Sequence, residues 1–161
     1  FIESMTISYH EYHKLNVSIV RIFNTYGPRM KINDGRVLPT FIKQASENLD
    51  ITINGDGNQT RSFCYIDDLI NGLIKIMNSE YAYPINIGND DEVTINRIAS
   101  IILNILNSNS KIVNNKLPED DPLKRRPDIS LAKEILNWIP KTTKEEGLNL
   151  LISYYKENKI I

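Results

Sequence analysis

The stretch "NVSIVRIFNTYGPRM", residues 16–30, decides the fold. Its first half is a nearly continuous apolar run of strand length, the pattern of a strand buried on both faces of a parallel sheet. It stops abruptly at Asn24, Thr25, Tyr26, Gly27 and Pro28. Ligands of open α/β sheets lie beyond the carboxyl ends of the strands. An amide at such an end can both donate and accept, which suits a sugar or phosphate oxygen. A turn-forming asparagine is the plain alternative for Asn24.

Working outward, residues 2–14 place Ile2, Met5, Tyr9 and Tyr12 at helical spacing. "LPTFIKQASENL" reads as a helix with Pro39 in its first turn. "DITINGDGNQT" alternates and then breaks at Gly55-Asp56-Gly57, a strand followed by a turn. "IDDLINGLIKIMN" reads as a helix with Leu69, Leu73, Ile76 and Met77 on one side, and "YPINIGN" as a short strand. Thr94 caps a helix over "INRIASIILNIL". "KIVNNKLP" is a candidate strand, the proline-broken "EDDPLKRRPDIS" a loop, and Ser130 a cap for "LAKEILNW". Thr143 and Glu146 form a capping box for the last helix. The order of helices and strands argues α/β. The strands are few and short, so the sheet reads as incomplete. The chain opens on Phe1 inside a helical pattern, which suggests a segment of a larger protein.

The chain has 161 residues, a formal charge of −1 and one cysteine, Cys64. Such a charge recruits neither nucleic acid nor an anionic membrane. No apolar run reaches the roughly 18–20 residues that span a bilayer. Without a second cysteine there is no intrachain disulfide, and Cys64 reads as a buried structural thiol in a reducing compartment. No glycine-rich dinucleotide loop or Walker loop occurs. His10 and His13 have no further ligands nearby, so no metal site is expected.

What remains is a set of arginines where chains usually avoid fixed charge: Arg21 inside the apolar strand, Arg61 between a turn and a helix, Arg125 and Arg126 between prolines. A guanidinium is a planar fork suited to phosphate or carboxylate. Several converging from separate loops suit a diphosphate. Local pairing with Asp67, Asp120 or Asp128 is the plain alternative for each.

"RIFNTYGPRM", "NDGRVLPTFI", "INGDGNQTRSFCYIDDLINGLI", "PINIGND" and "LPEDDPLKRRPDISLAKEILNWIPK" together resemble the C-terminal half of the UDP-glucuronate decarboxylases, which are extended short-chain dehydrogenases/reductases. The resemblance implies the C-terminal part of an NAD(P)-binding Rossmann-like α/β protein with its small substrate-binding subdomain. Residues 1–27 would end the Rossmann-like part, and 28–161 would be mainly substrate-binding, with one returning Rossmann strand near 84–88. It implies that the NAD loop, a Ser or Thr, a Glu and the Tyr-x-x-x-Lys pair lie in an N-terminal half outside this segment. By resemblance Phe23, Thr25, Tyr26 and Arg36 neighbour the cofactor NAD. Asn24, Val37, Ile53, Gly55, Arg61, Asn86 and Arg125 neighbour the UDP-sugar, and Arg125 is a candidate assisting residue in catalysis.

The implied reaction converts UDP-glucuronate to UDP-xylose and carbon dioxide through a 4-keto sugar, and this segment alone is expected to be inactive. A 4-epimerase or 4,6-dehydratase half is the alternative within the superfamily. A non-catalytic nucleotide-sugar-binding or dimerisation module is the alternative of another class. The resemblance also implies a homodimer. A cytoplasmic setting is expected, or the Golgi lumen if an anchor lies upstream.

Overall fold

The computed structural model describes residues 1–116 and 124–161. The end of the expected strand over 111–118, the start of the loop that follows, and Asp120 as a charge partner lie outside the described residues.

The elements in chain order are α1 (Ile2–His13), β1 (Val20–Ile22), β2 (Thr25–Tyr26), α2 (Val37–Ser46), β3 (Ile51–Asn54), β4 (Thr60–Ser62), β5 (Cys64–Tyr65), α3 (Ile66–Met77), β6 (Ile85–Ile87), β7 (Glu92–Thr94), α4 (Ile95–Leu106), β8 (Ile112–Asn115), β9 (Lys124–Arg125), α5 (Ser130–Leu136) and α6 (Lys144–Glu157). β1 pairs in parallel with β6, Arg21 opposite Asn86. The same run of chain then changes partner: β2 pairs in parallel with β5, Thr25 opposite Cys64. Asn24 stands at this change, and its carbonyl accepts from Cys64 N at 2.8 Å. β3 and β8 form a third parallel pair. β4 is central in a small mixed sheet, antiparallel to β7 and parallel to β9.

Two apolar clusters hold these pieces together. The larger gathers Phe41, Ile42, Ile53, Ile98, Ile102, Leu151 and Tyr155 from α2, β3, α4 and α6. The smaller gathers Leu69, Ile76, Ile87, Ala132 and Trp138 under α3, β6 and α5. Trp138 is 2% exposed, and its indole N–H donates to the Asp68 carbonyl at 3.1 Å. Cys64 is fully buried, as its apolar surroundings require. Burial, and then the nearby Asp68 charge, push its thiol up to about 12. At pH 8 only about one thiol in ten thousand is then thiolate, the reactive form. Native protein should therefore resist thiol reagents that label it stoichiometrically once unfolded in urea, as absorbance of the released chromophore reports.

The helix boundaries follow the sequence signals. Thr94 Oγ1 accepts from Arg97 N at 3.2 Å. Thr143 Oγ1 accepts from Glu146 N at 3.2 Å, and Glu146 Oε2 accepts from Thr143 N at 2.9 Å, a complete capping box. The Thr143 N–H, and then its hydroxyl, hold the Glu146 carboxyl below the usual range. A lowered folded pKa means stabilisation that is present above the unfolded value of about 4.3 and lost as pH falls through the folded one. Thr143→Ala should cost about 1 kcal/mol at pH 7, a drop of roughly 3 °C in Tm by scanning calorimetry.

Three expectations are corrected. Ser130 is the first helical residue of α5, not its cap: Ile129 precedes it, and the Asp128 carboxylate accepts from Ser130 N at 2.9 Å. Met77 is 72% exposed, so α3 buries Leu69, Gly72 and Ile76 instead. β1 is not buried on both faces, because Arg21 and Ile22 are exposed and, among the described residues, β6 is its one neighbouring strand. β2, β5, β7 and β9 are two or three residues long, too short for alternation to reveal. β9 lies in the stretch expected to be loop.

Candidate functional site

A cavity of about 350 Å³ opens where the chain leaves β1. Asn24, Thr25, Tyr26, Met30, Arg36, Val37, Leu38, Arg61, Phe63 and Arg125 line it. Five pieces of backbone deliver them. The β1–β2 junction brings Asn24 to Tyr26. The turn Gly27–Met30, closed by Met30 N to Gly27 O at 3.3 Å, brings Met30. The start of α2 brings Val37 and Leu38, and β4 with β9 brings Arg61, Phe63 and Arg125.

The two arginines meet by register. Arg61 is the direct Cα partner of Arg125 in the parallel β4–β9 pair. Side chains directly opposite on neighbouring strands share a face, and like charges there repel. Phe63, just past the end of β4, also lines the cavity, so the lining carries two guanidiniums and an aromatic ring. Arg61 Nη1 donates to the Thr60 carbonyl at 2.8 Å, which fixes the fork from behind. Lys124 binds the Glu92 carboxylate at 3.2 Å. The Thr60 hydroxyl donates to Glu92 at 2.7 Å and is the main reason that carboxyl lies below its usual range. Across the cavity, Arg36 N donates to Asp34 Oδ1 at 2.9 Å, and its Nε lies 3.2 Å from Asp34 Oδ2.

Of the residues named from sequence, the structure brings together Asn24, Thr25, Tyr26, Arg36, Val37, Arg61 and Arg125. It does not bring Phe23, Ile53, Gly55 or Asn86 to this lining. Phe23 lies against Gly88, where an added Cβ would stand 2.8 Å from the Phe23 Cβ. Ile53 is 1% exposed in the larger core. Gly55 turns the chain after β3 at φ 78, and its carbonyl accepts from Asn114. The Asn86 amide donates to the Asp128 carbonyl at 2.8 Å. Thr25 also spends its hydroxyl locally, on the Phe23 carbonyl at 2.8 Å. Arg21 binds Glu3 of α1 with two hydrogen bonds, its Nε at 2.6 Å, so the plain reading of that arginine holds with a different carboxylate.

Met30, Leu38 and Phe63 line the cavity without having been singled out. The signal for Phe63 was its two-residue spacing from Arg61. Met30 gave none, since the turn that aims it is set by Pro28 and by Arg29 at φ 70. Among the described residues no group of three His, Cys, Asp or Glu could hold a metal ion, and no helix is long and apolar enough to cross a membrane.

The Tyr-x-x-x-Lys spacing does occur once, at Tyr155 and Lys159. Tyr155 is fully buried, its hydroxyl donates to the Met30 carbonyl at 2.9 Å, and burial pushes it up to about 12. Lys159 lies beyond the end of α6 at φ 55. A buried phenol committed to a carbonyl is not poised to take a proton.

Parallel strand pairs with helical crossovers, and a cavity opening where the chain leaves β1, define an α/β protein of the open-sheet kind. More particularly, residues 1–88 match the NAD dependent epimerase/dehydratase family, and the chain belongs to that family. The UDP-glucuronic acid decarboxylase 3 of Arabidopsis thaliana is 46% identical over 149 residues, 92% of this chain and 44% of that protein. UDP-glucuronic acid decarboxylase 1 of Danio rerio is 45% identical over 153 residues, 95% of this chain and 37% of that one.

Among solved structures, the UDP-glucose 4-epimerase of Thermotoga maritima with UDP-glucose superposes with a TM-score of 0.91 at 26% identity, over 98% of this chain and 51% of that one. The UDP-glucuronic acid 4-epimerase of Bacillus cereus, in complex with UDP-glucuronic acid and NAD, gives 0.85 at 31% identity, over 97% and 50%. The chain thus spans about two fifths of these curated relatives and half of these solved ones.

Proposed function

We propose that this chain is the nucleotide-sugar-binding part of an NAD-dependent UDP-glucuronate decarboxylase. The observation that carries the reading is the register of Arg61 and Arg125 on one cavity wall, with Asn24 at the strand end beside them. Two guanidiniums brought to one cavity wall suit an anion that carries more than one charge, and a diphosphate is such an anion. The high identity to the decarboxylases favours their substrate over that of the epimerases.

In this reading Arg61 and Arg125 grip the diphosphate, Phe63 and Met30 form apolar walls, and the Asn24 amide meets an oxygen near the diphosphate. NAD would supply the hydride acceptor and donor for C4 of the sugar. Thr25, Tyr26 and Arg36 supply one edge for that cofactor and no cradle for its phosphates. The contribution of this chain is therefore orientation: binding remote from the reacting carbons holds C4 in place. Retention of the 4-keto sugar follows from the same grip.

The domain division at residues 27 and 28, a homodimer and a cytoplasmic setting belong to this reading. Phe1, at 97% exposed, and Ile2, Met5, Tyr9 and Tyr12 leave an apolar face on α1 that supports pairing. Product analysis by NMR of the intact protein with UDP-glucuronate and NAD tests the proposal. UDP-xylose and carbon dioxide are expected. UDP-galacturonate alone would mean a 4-epimerase, the reading that the solved neighbours favour. Binding of UDP-glucuronate without any product would mean a non-catalytic module.

A further inference from the structure

The C-terminal helix α6 lies behind the cavity and lends no residue to its lining. It nevertheless touches two segments that do line it, through two unusual contacts. The first is the Tyr155 hydroxyl, which reaches across 125 positions of sequence to the Met30 carbonyl at 2.9 Å. Met30 ends a turn whose third residue, Arg29, holds φ 70, a left-handed conformation that ordinary L-residues rarely adopt. A buried donor on the carbonyl just after that residue is what keeps such a turn in one shape. The second contact is at Gly147. A Cβ there would overlap the Tyr26 hydroxyl oxygen and lie 2.8 Å from Cζ. The Tyr26 ring, 4% exposed, is also held edge-on by Phe63 and Tyr65. Its position is therefore set by the absence of a side chain at residue 147.

We infer that Gly147 and Tyr155 are positioning residues for the cavity: α6 fixes where the Tyr26 ring and the Met30 turn stand, and thereby the width of the cleft offered to a nucleotide sugar. The inference rests on the reading of the cleft as a UDP-sugar site. A side chain at 147 displaces the Tyr26 ring, which lines the cavity. Loss of the Tyr155 hydroxyl frees the Met30 carbonyl and leaves the strained turn without its anchor. Both changes act on ligand affinity through a residue that neither variant replaces.

The test measures UDP affinity by calorimetry and the cavity by crystallography in Gly147→Ala, in Tyr155→Phe and in the double variant Gly147→Ala with Tyr26→Phe, with Tm recorded for each. Gly147→Ala should weaken UDP at least tenfold, with the Tyr26 ring displaced. Removing the hydroxyl it strikes should recover part of that loss, the contact with Cζ remaining, a partial rescue that general destabilisation would not produce. Tyr155→Phe should weaken UDP several-fold with the Met30 turn displaced. Unchanged Tyr26 and Met30 positions together with unchanged affinity would overturn the inference. If the wild-type chain fails to bind UDP, the reading of the site is lost. The ring and turn positions then decide the inference alone: displacement supports it, and unmoved side chains overturn it.

Discussion

Arg61→Ala combined with Arg125→Ala should reduce UDP affinity by at least a hundredfold while leaving the fold intact. In the proposed site each guanidinium would form charge-assisted bonds to a phosphate, worth about 2 kcal/mol apiece. The two act on one diphosphate, so the single variants should not sum to the double. Either single variant should lose about thirtyfold, and the second change should add less than the first. Stability should shift by less than about 1 kcal/mol, because strand pairing of β4 with β9 uses backbone groups. Calorimetric titration with UDP, beside urea unfolding of the same samples, separates the two effects. Affinity within threefold of wild type in the double variant would remove the diphosphate from this wall.

Trp138→Ala should be the most damaging single truncation in the smaller core, at about 4 kcal/mol. The ring is 2% exposed among Leu69, Ile87 and Ala132 and stands over Gly72, where an added Cβ would approach its Cε2 at 3.1 Å. Its N–H also satisfies the Asp68 carbonyl at the start of α3. Asp68 in turn accepts from Thr142 N at 2.9 Å, so the linker to α6 hangs on the same corner. Trp138→Phe keeps most of the apolar volume and leaves one carbonyl unsatisfied, and should cost about half as much. Urea unfolding followed by far-ultraviolet circular dichroism measures both, and a loss below 1 kcal/mol for the alanine variant would show that this corner does not hold the core.

The long elements were legible because their signals are local. α4 shows its stripe, Ile95, Ile98, Ala99 and Ile102, in sequence alone, and α6 announces its start through Thr143 and Glu146. The strand ending at Asn24 was visible as an apolar run cut short. Its exposure was not, because burial depends on which elements lie against it, and, among the described residues, β6 is its one neighbouring strand. The arginines were visible as misplaced charges, and the resemblance assigned Arg61 and Arg125 to one ligand. Their register was not visible, since β9 is two residues long and pairs with a strand more than sixty positions earlier. Asn86 illustrates the opposite case. It stands at a strand end, as a ligand-binding amide would, yet its amide closes a local contact with the Asp128 carbonyl. Strand position marks where a ligand group can be and does not say whether the side chain is already committed.

Titration of the wild-type chain with UDP and with uridine, at low and at physiological salt, tests the central claim most directly. A diphosphate clamp predicts one site for UDP, affinity at least a hundredfold above that for uridine, and a marked fall in affinity as salt screens the arginines. Equal binding of UDP and uridine, or none of either, would contradict it.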